Sequence, residues 1–151
     1  MGSTVIEFRT GIAPLDRHRV WRWLSDDSYW ARSIPWTLFD SACDGSLCFG
    51  LYDAERIVAF ARVITDTATF AWLCDVYVDP GWRSRGLGKL LIDRVMADDR
   101  LQHLRRWGLA TADAHGLYAR HGFAPADASR HMEKVDRELY ARLTSPGDCP
   151  G

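Results

Sequence analysis

A mixed α/β fold of the α+β type is predicted by three observations: two helix-forming stretches near the N-terminus, three consecutive β-rich runs joined by short turns, and a strand that passes through a glycine loop into an amphipathic helix. Together the segments amount to a central, mostly antiparallel sheet of 6–7 strands flanked by about four helices. With 151 residues, 47% of them hydrophobic and 26% charged, the chain suits one core, because each half alone would be too small to bury much. We expect a single domain over residues 1–143 and a disordered tail over 144–151, where SPGDCPG offers little to pack.

The elements follow in order. Residues 5–9 alternate apolar and polar and stop at Thr10 and Gly11, as a short strand does. Asp16 is placed to cap a helix in which Val20, Trp21, Trp23 and Leu24 share a face. Pro35 must start or interrupt a helix, so residues 28–43 are expected to form a loop and a second short helix. Residues 46–52, 56–65 and 69–78, with turns at Asp53-Ala54 and Asp66-Thr67, form an antiparallel meander. The third run is apolar on both alternating faces except at Asp75, as expected of a central strand covered on both sides. Beyond it, Leu87, Leu90, Leu91 and Val95 line one side of a helix. Residues 107–111 form a fifth strand and 114–120 a short helix ending at Gly122; Phe123 and residues 131–135 should complete the sheet.

Nineteen basic and 20 acidic residues leave a formal net charge of −1, so no whole-chain field would hold nucleic acid or an anionic membrane. Any anion site has to be local. Cys43, Cys48, Cys74 and Cys149 form no CxxC pair, and reduced thiols in a cytoplasmic setting are expected. The N-terminus has no basic start followed by an apolar run, so neither a signal peptide nor a membrane span is expected. Ile6 stands where a myristoylation motif needs Ser or Thr.

Chemistry concentrates in Arg83-Ser84-Arg85-Gly86-Leu87-Gly88, where a strand hands over to a helix. Backbone N–H groups without intrahelical partners point out of such a start and attract phosphate. Two glycines allow close approach, and Arg83, Arg85 and Lys89 add charge, which together describe a pyrophosphate cradle. Equally, the glycines could serve only a tight turn, with the arginines solvated. Two competing phosphate motifs fail: Leu87 replaces the lysine of a P-loop begun at Gly81, and Leu91 replaces the third small residue of a dinucleotide fingerprint.

The strand LCDVYV, the loop RSRGLG and, some 30 residues on, LYARHGF resemble in order and spacing the signature of the GNAT acetyltransferase superfamily, R/Q-x-x-G-x-G/A followed by Leu-Tyr-x-x-x-Gly-Phe. The resemblance spans residues 70–123, about a third of the chain. It implies a sheet splayed between its fourth and fifth strands and acetyl-CoA as co-substrate. The main chain at Val76, Tyr77 and Val78 would pair with the pantetheine arm, and the N–H groups from Arg83 to Gly88 would hold the pyrophosphate. Thr111 stands seven residues before the tyrosine, where the family often has Asn, and could still hydrogen-bond the pantetheine.

By the same resemblance Tyr118 takes the position of the general acid, opposite a core role on its short helix. A phenol of pKa ~10 protonates a thiolate of pKa ~8.5 only uphill, so a strong hydrogen bond to sulfur is the easier role. Asp75, a lone carboxylate in an apolar strand, could take the amine's proton or bind a cationic acceptor; it could equally form a structural ion pair with an arginine. Cys74 precedes it and is expected on the opposite strand face, which argues against a covalent enzyme intermediate. His115 and His121 lie on different helical faces with no third ligand nearby, so no metal is expected. Tyr29, Trp30, Arg32 and Trp36 are the candidate acceptor wall, with a core role as the alternative.

The sequence thus points to an N-acetyltransferase that moves acetyl from acetyl-CoA to a primary amine of a small molecule or peptide by direct ternary-complex attack, with a homodimer as the candidate assembly. The alternatives are a non-catalytic acyl-CoA-binding or regulatory module and an interaction domain whose glycine loop is only a turn.

Overall fold

Residues 5–144 are described by the computed structural model. Strand β1 (Ile6–Thr10) leads to helices α1 (Pro14–Asp27) and α2 (Trp36–Asp44), then to the meander β2 (Leu47–Asp53), β3 (Arg56–Thr65) and β4 (Phe70–Val78). Helix α3 (Leu87–Met96), strand β5 (Arg106–Leu109) and the short helices α4 (His115–Ala119) and α5 (Leu139–Leu143) follow. The five strands lie in sequence order, antiparallel except for the parallel pair β4 and β5. This is the predicted mixed α/β class with fewer strands. Phe123 contributes its ring to the core rather than a strand, and residues 131–135 join no ladder. Strand β5 ends at Leu109, which leaves Thr111 in the following loop. Residues 145–151, most of the expected tail, lie outside the described residues.

Local chemistry accounts for the boundaries. Helix α1 starts at Pro14, whose missing N–H belongs to a group that would lack an intrahelical partner anyway. Asp16 is therefore inside the first turn and is not the cap; its Oδ2 accepts a hydrogen bond from Tyr52 Oη at 3.0 Å. Pro35 precedes α2 in extended conformation and starts that helix rather than breaking it. The meander turns pass through positive φ at Ala54 and Thr67, and the Asp66 carboxylate ties the second turn by accepting from the N–H groups of Ala68, Thr69 and Phe70.

Two apolar layers sandwich the sheet. On one face Leu91, Ile92 and Val95 of α3 pack on Phe49, Val58, Ala61 and Leu73. On the other, Val20 and Leu24 of α1 and Phe39 of α2 pack on Ile57, Phe60 and Tyr77. Each such fully buried aliphatic or aromatic side chain contributes roughly 1.5–3 kcal/mol. Coverage of the second face is incomplete: Ile64, Phe70 and Trp72 remain 38–44% exposed, so β4 is central in the sheet yet open on that face at its start.

The β4 and β5 ladder runs only from Phe70 opposite Arg106 to Leu73 opposite Leu109. Residues 74–78 have no ladder partner on that side, because β5 ends at Leu109, and they leave an unpaired stretch of β4 edge, the wedge, beyond it. Gly108 sits just before the parting, under the Trp72 ring: a Cβ there would lie 2.6 Å from Trp72 Cε3. Ring atoms cannot yield as the end of a flexible chain does. Gly108→Ala is therefore expected to destabilise the protein by about 1–3 kcal/mol, read as a lower urea midpoint with an unchanged slope.

Candidate functional site

The site begins with an irregularity in β4. Ala71 and Leu73 belong to the α3-side layer, and so do Val76 and Val78, although strict alternation would place the second pair on the other face. The register passes from Arg62 opposite Cys74 to Phe60 opposite Tyr77, so Asp75 and Val76 together face Ala61. Asp75 itself has φ +53°, a left-handed conformation that Asp tolerates better than most residues. This is a β-bulge, and it re-aims the strand where β4 leaves β5. It also corrects the expected geometry of Cys74, which faces the α1 and α2 side together with Asp75. Burial pushes the Cys74 thiol up to about 12, so it stays protonated at neutral pH.

Asp75 is only 8% exposed, and both of its oxygens are engaged. Oδ2 accepts from Arg62 Nε at 2.7 Å and Oδ1 from Trp30 Nε1 at 2.8 Å. Arg62 in turn donates through Nη1 to Ser46 Oγ at 2.9 Å. A buried carboxylate is tolerable only when paired and hydrogen-bonded in this way. Arg62 is the one charge in residues 57–64, the signal that marks it in the sequence although it is not among the candidate residues there. Tyr140 of α5 also borders the pair. It packs on the α1 and α2 layer, and its phenol is held above the ordinary value by burial first and then by the Asp75 charge. Nothing in the local sequence marks it.

The loop between α1 and α2 closes over this network. Tyr29 and Trp30 meet edge to face at 5.0 Å, and Tyr29 Oη accepts from Ala112 N at 3.2 Å, which links the loop to the segment after β5. Tyr118 is buried against Phe123, with ring centroids 6.1 Å apart. Its phenol is pushed above its ordinary value by burial, then by Tyr29 and Asp113. Tyr29, Trp30, Asp75 and Tyr118 thus converge around the wedge. Trp36 does not join them; it packs with His18, Trp21 and Phe39 between α1 and α2. Arg32 is exposed on the loop, where its charge acts on Asp27.

The β4–α3 loop lies at the other end of the opening. Asp79 caps a 3-10 turn (Pro80–Trp82) by accepting from Gly81 N, and Arg19 pairs with it at 3.0 Å. Arg83 is held against the protein: its Nε donates to Val78 O at 3.1 Å and its Nη2 to Asp27 Oδ2 at 3.3 Å, with the guanidinium over the Tyr77 ring. Tyr77 Oη donates to the same Asp27 oxygen at 2.5 Å, and burial followed by that carboxylate pushes the phenol up to about 12. Arg85 lies over Trp82, and Lys89 is exposed.

Ser84 and Gly86 have φ of +65° and +76°, which turns the chain sharply into α3. The first helical bond runs from Leu90 N to Gly86 O, so the N–H groups of Leu87, Gly88 and Lys89 precede it. A Cβ on Gly86 or Gly88 would meet nothing within 4 Å, so this surface is open to a ligand. Along β4, Asp79 N bonds Val58 O across the β3 side. Antiparallel alternation then directs the backbone groups of Val76 and Val78 into the wedge. An open strand edge leading to a helix start suits an extended chain that ends in a pyrophosphate.

Among the described residues no cluster of three or more His, Cys, Asp or Glu could hold a metal ion, and His121 instead lies 2.9 Å from Asp93 on α3. No described helix is long and apolar enough to cross a membrane. A hollow of about 570 Å³ between α1 and the β2–β3 turn shares none of the wedge residues.

A family model for the acetyltransferase (GNAT) domain matches residues 44–125. A candidate acetyltransferase of Gibberella zeae is 31% identical over 117 residues, 64% of this chain and 65% of that protein, so this chain spans just under two thirds of its length. A histone acetyltransferase of Glycine max is 41% identical over 44 residues, 29% of this chain and 19% of that one. In Xanthomonas campestris, a candidate acetyltransferase of the GNAT family has a solved structure of TM-score 0.87 at 50% identity, over 93% of this chain and 99% of that one. A Clostridium acetobutylicum protein, described as a predicted acetyltransferase with acetyl-CoA, shares the fold at TM-score 0.63 and 13% identity, over 89% and 97%.

Removing one partner of the buried pair should be severe, because it strands the other charge. Asp75→Ala is expected to cost about 3–5 kcal/mol by chemical denaturation, and Arg62→Met combined with Asp75→Ala to cost less than the two single changes summed.

Proposed function

Because this chain belongs to the GNAT family of acetyltransferases, we propose that it transfers acetyl from acetyl-CoA to a primary amine by direct attack within a ternary complex. The single observation that carries this is the wedge between β4 and β5, which joins the open edge at Val76 and Val78 to the Gly86–Gly88 loop and brings Tyr118, Asp75 and Trp30 to its sides. The edge of Val76, Tyr77 and Val78 holds the pantetheine arm, and Thr111 borders its path. Residues Ser84 to Lys89 hold the pyrophosphate, with the charge coming chiefly from Arg85 and Lys89, because Arg83 spends two of its donors on Val78 and Asp27. When bound, acetyl-CoA supplies an acyl group already activated as a thioester.

Tyr118 serves the sulfur side. Burial raises its phenol above the usual value of about 10, so the hydroxyl keeps its proton across the working range. A hydroxyl of that kind is a good hydrogen-bond donor and a poor acid, so Tyr118 Oη stabilises the departing thiolate by donating to it. Asp75 serves the amine side. Each of its oxygens keeps a lone pair beyond the bonds from Arg62 and Trp30, enough to orient an amine and accept its proton directly or through water. Tyr29 and Trp30 form the acceptor wall, with Arg32 at its rim, and Trp36 supports them from the α1–α2 layer. The acceptor is a small-molecule or peptide amine. Cys74, kept as a protonated thiol, offers no competing nucleophile.

Calorimetric titration with acetyl-CoA, followed by thiol-release assays on a panel of amines, tests the proposal. Binding is expected, and Gly86→Glu should abolish it by placing a carboxylate and a strained Cβ at the cradle. Tyr118→Phe should lower kcat by about 10²-fold with acetyl-CoA affinity unchanged. A protein that binds acetyl-CoA and shows no turnover with any amine would be the non-catalytic module. Raising the phenol's pKa keeps the donating form present to higher pH, so the wild-type rate should show no falling limb from Tyr118 below about pH 10.

A further inference from the structure

We propose that Cys43 and Cys48 form an oxidation site, at which a hydroperoxide links the two thiols in a reversible disulfide and thereby displaces the Arg62–Asp75 pair. The disulfide does not depend on the enzymatic proposal; its effect on turnover rests on that reading.

Position carries the first half. Cys43 lies in the last turn of α2 and Cys48 near the start of β2, joined by a turn in which Ser46 N bonds Cys43 O at 3.2 Å. That turn brings Cys48 Sγ within 3.7 Å of Cys43 O, and each thiol is the strongest single influence on the other's ionisation. Both side chains are buried and both thiols are free. Two cysteines so placed need little movement to reach the ~2.05 Å of an S–S bond.

Charge makes the pair reactive. Arg17 of α1 and Arg62 of β3 both act on it. Arg17 Nη1 donates to Asp40 and Asp44 of α2, while its Nε is buried and meets no acceptor among the described residues. Cys48 is held below the ordinary value of a thiol by Cys43 first, against burial, with the two guanidinium groups adding to the effect. Cys43 is pushed the other way by Cys48 and by burial. Cys48 is therefore the attacking thiolate and Cys43 the resolving thiol.

Cys74 serves as an internal control. It stands opposite Arg62 on β4 as Cys48 does on β2, which separates the two cysteines by two strand spacings, roughly 9–10 Å and beyond the reach of a disulfide. Its thiol donates to Arg62 O at 3.3 Å, and its raised pKa of about 12 keeps it protonated.

The chemistry balances with hydrogen peroxide as oxidant. The Cys48 thiolate attacks one peroxide oxygen; the S–O bond forms, the O–O bond breaks, and the departing hydroxide takes up the proton that Cys48 had lost and leaves as water. Cys43 sulfur then attacks the sulfenic sulfur of Cys48; the S–S bond forms, the S–O bond breaks, and the hydroxide leaves as a second water with the Cys43 proton. The two sulfurs together give up the electron pair that the peroxide gains.

Ser46 carries the consequence, because it lies inside the loop that the disulfide closes. Its Oγ accepts from Arg62 Nη1 at 2.9 Å and donates to Ala42 O at 2.7 Å. Arg62 Nε in turn holds Asp75 Oδ2, and Asp75 Oδ1 holds the Trp30 indole N–H. Drawing Cys48 onto Cys43 moves Ser46, and the displacement passes through Arg62 to the carboxylate that faces the amine in the proposed reaction.

Peroxide treatment of the reduced full chain, followed by thiol alkylation and tryptic mass mapping, tests this. Residues 33–56 hold both cysteines with no Lys or Arg before Arg56, so they emerge as one peptide. That peptide is expected to escape alkylation and to be lighter by two hydrogens than its reduced form, with both thiols restored by dithiothreitol and Cys74 alkylated throughout. Cys43→Ser should stop the sequence at a Cys48 sulfenic acid that dimedone traps. In the wild type the Trp30 indole N–H resonance should shift on oxidation and return on reduction, and acetyl transfer should fall by about 10-fold. Alkylation of both Cys43 and Cys48 after peroxide overturns the proposal, as does a disulfide that leaves the Trp30 resonance unmoved or a dimedone label on Cys74 in place of Cys48. A reduced protein without acetyl transfer counts against the enzymatic reading alone, because the peptide masses and the indole resonance are read without it.

Discussion

The parting of β4 from β5 is the constraint on which the rest of this structure depends. The ladder between them stops after four residue pairs, where β5 ends at Leu109, while β4 runs on for five residues more. Those residues keep β3 on one side; on the other, Val78 O accepts from Arg83 Nε and the rest of the edge has no ladder partner. Two devices shape this stretch of β4. The bulge at Asp75 shifts the side-chain alternation by one residue, and the Arg62–Asp75–Trp30 network binds the bulge to β3 and to the α1–α2 loop. Neither device would stand alone: the left-handed backbone at Asp75 is strained, and the carboxylate could not be buried without Arg62.

From this the division of labour around the wedge follows. The side toward β4 offers backbone, which suits any extended amide-bearing chain and needs no particular side chain. Its far end offers orphan N–H groups and two free cations, which suit phosphate. Its mouth is aromatic, with Tyr29, Trp30 and Tyr140 around one neutralised ion pair. The mouth thus offers ring faces and the remaining lone pairs of a carboxylate, and no strong net field. That matches a chain whose total formal charge is −1.

Much of this was legible in advance because it is local. The meander registers within a residue of its expected bounds, since hydrophobic alternation and the turns at Asp53-Ala54 and Asp66-Thr67 are short-range signals. The glycine loop and the helix after it are likewise written in consecutive residues. What failed was tertiary. Asp16 looked like a cap, but the helix starts three residues earlier, at Pro14, and leaves the carboxylate to Tyr52. Trp36 looked like an acceptor wall, but the pairing of α1 with α2 drew it among His18, Trp21 and Phe39. The alternation that placed Cys74 away from Asp75 was sound as a rule and was broken by a bulge that no local residue announces.

By itself, the sequence determined the class of fold, the order of its elements and the passage from strand through glycine loop to helix at residues 70–96, because propensity, periodicity and helix-start chemistry act over a few residues. Only the tertiary structure decided that Arg62 neutralises Asp75, that Tyr140 returns to the same site from the far end of the chain, and that residues 131–135 stay outside their own sheet. Those outcomes rest on contacts between residues far apart in the chain and on competition for one shared core. No window of neighbouring residues contains the information to settle them.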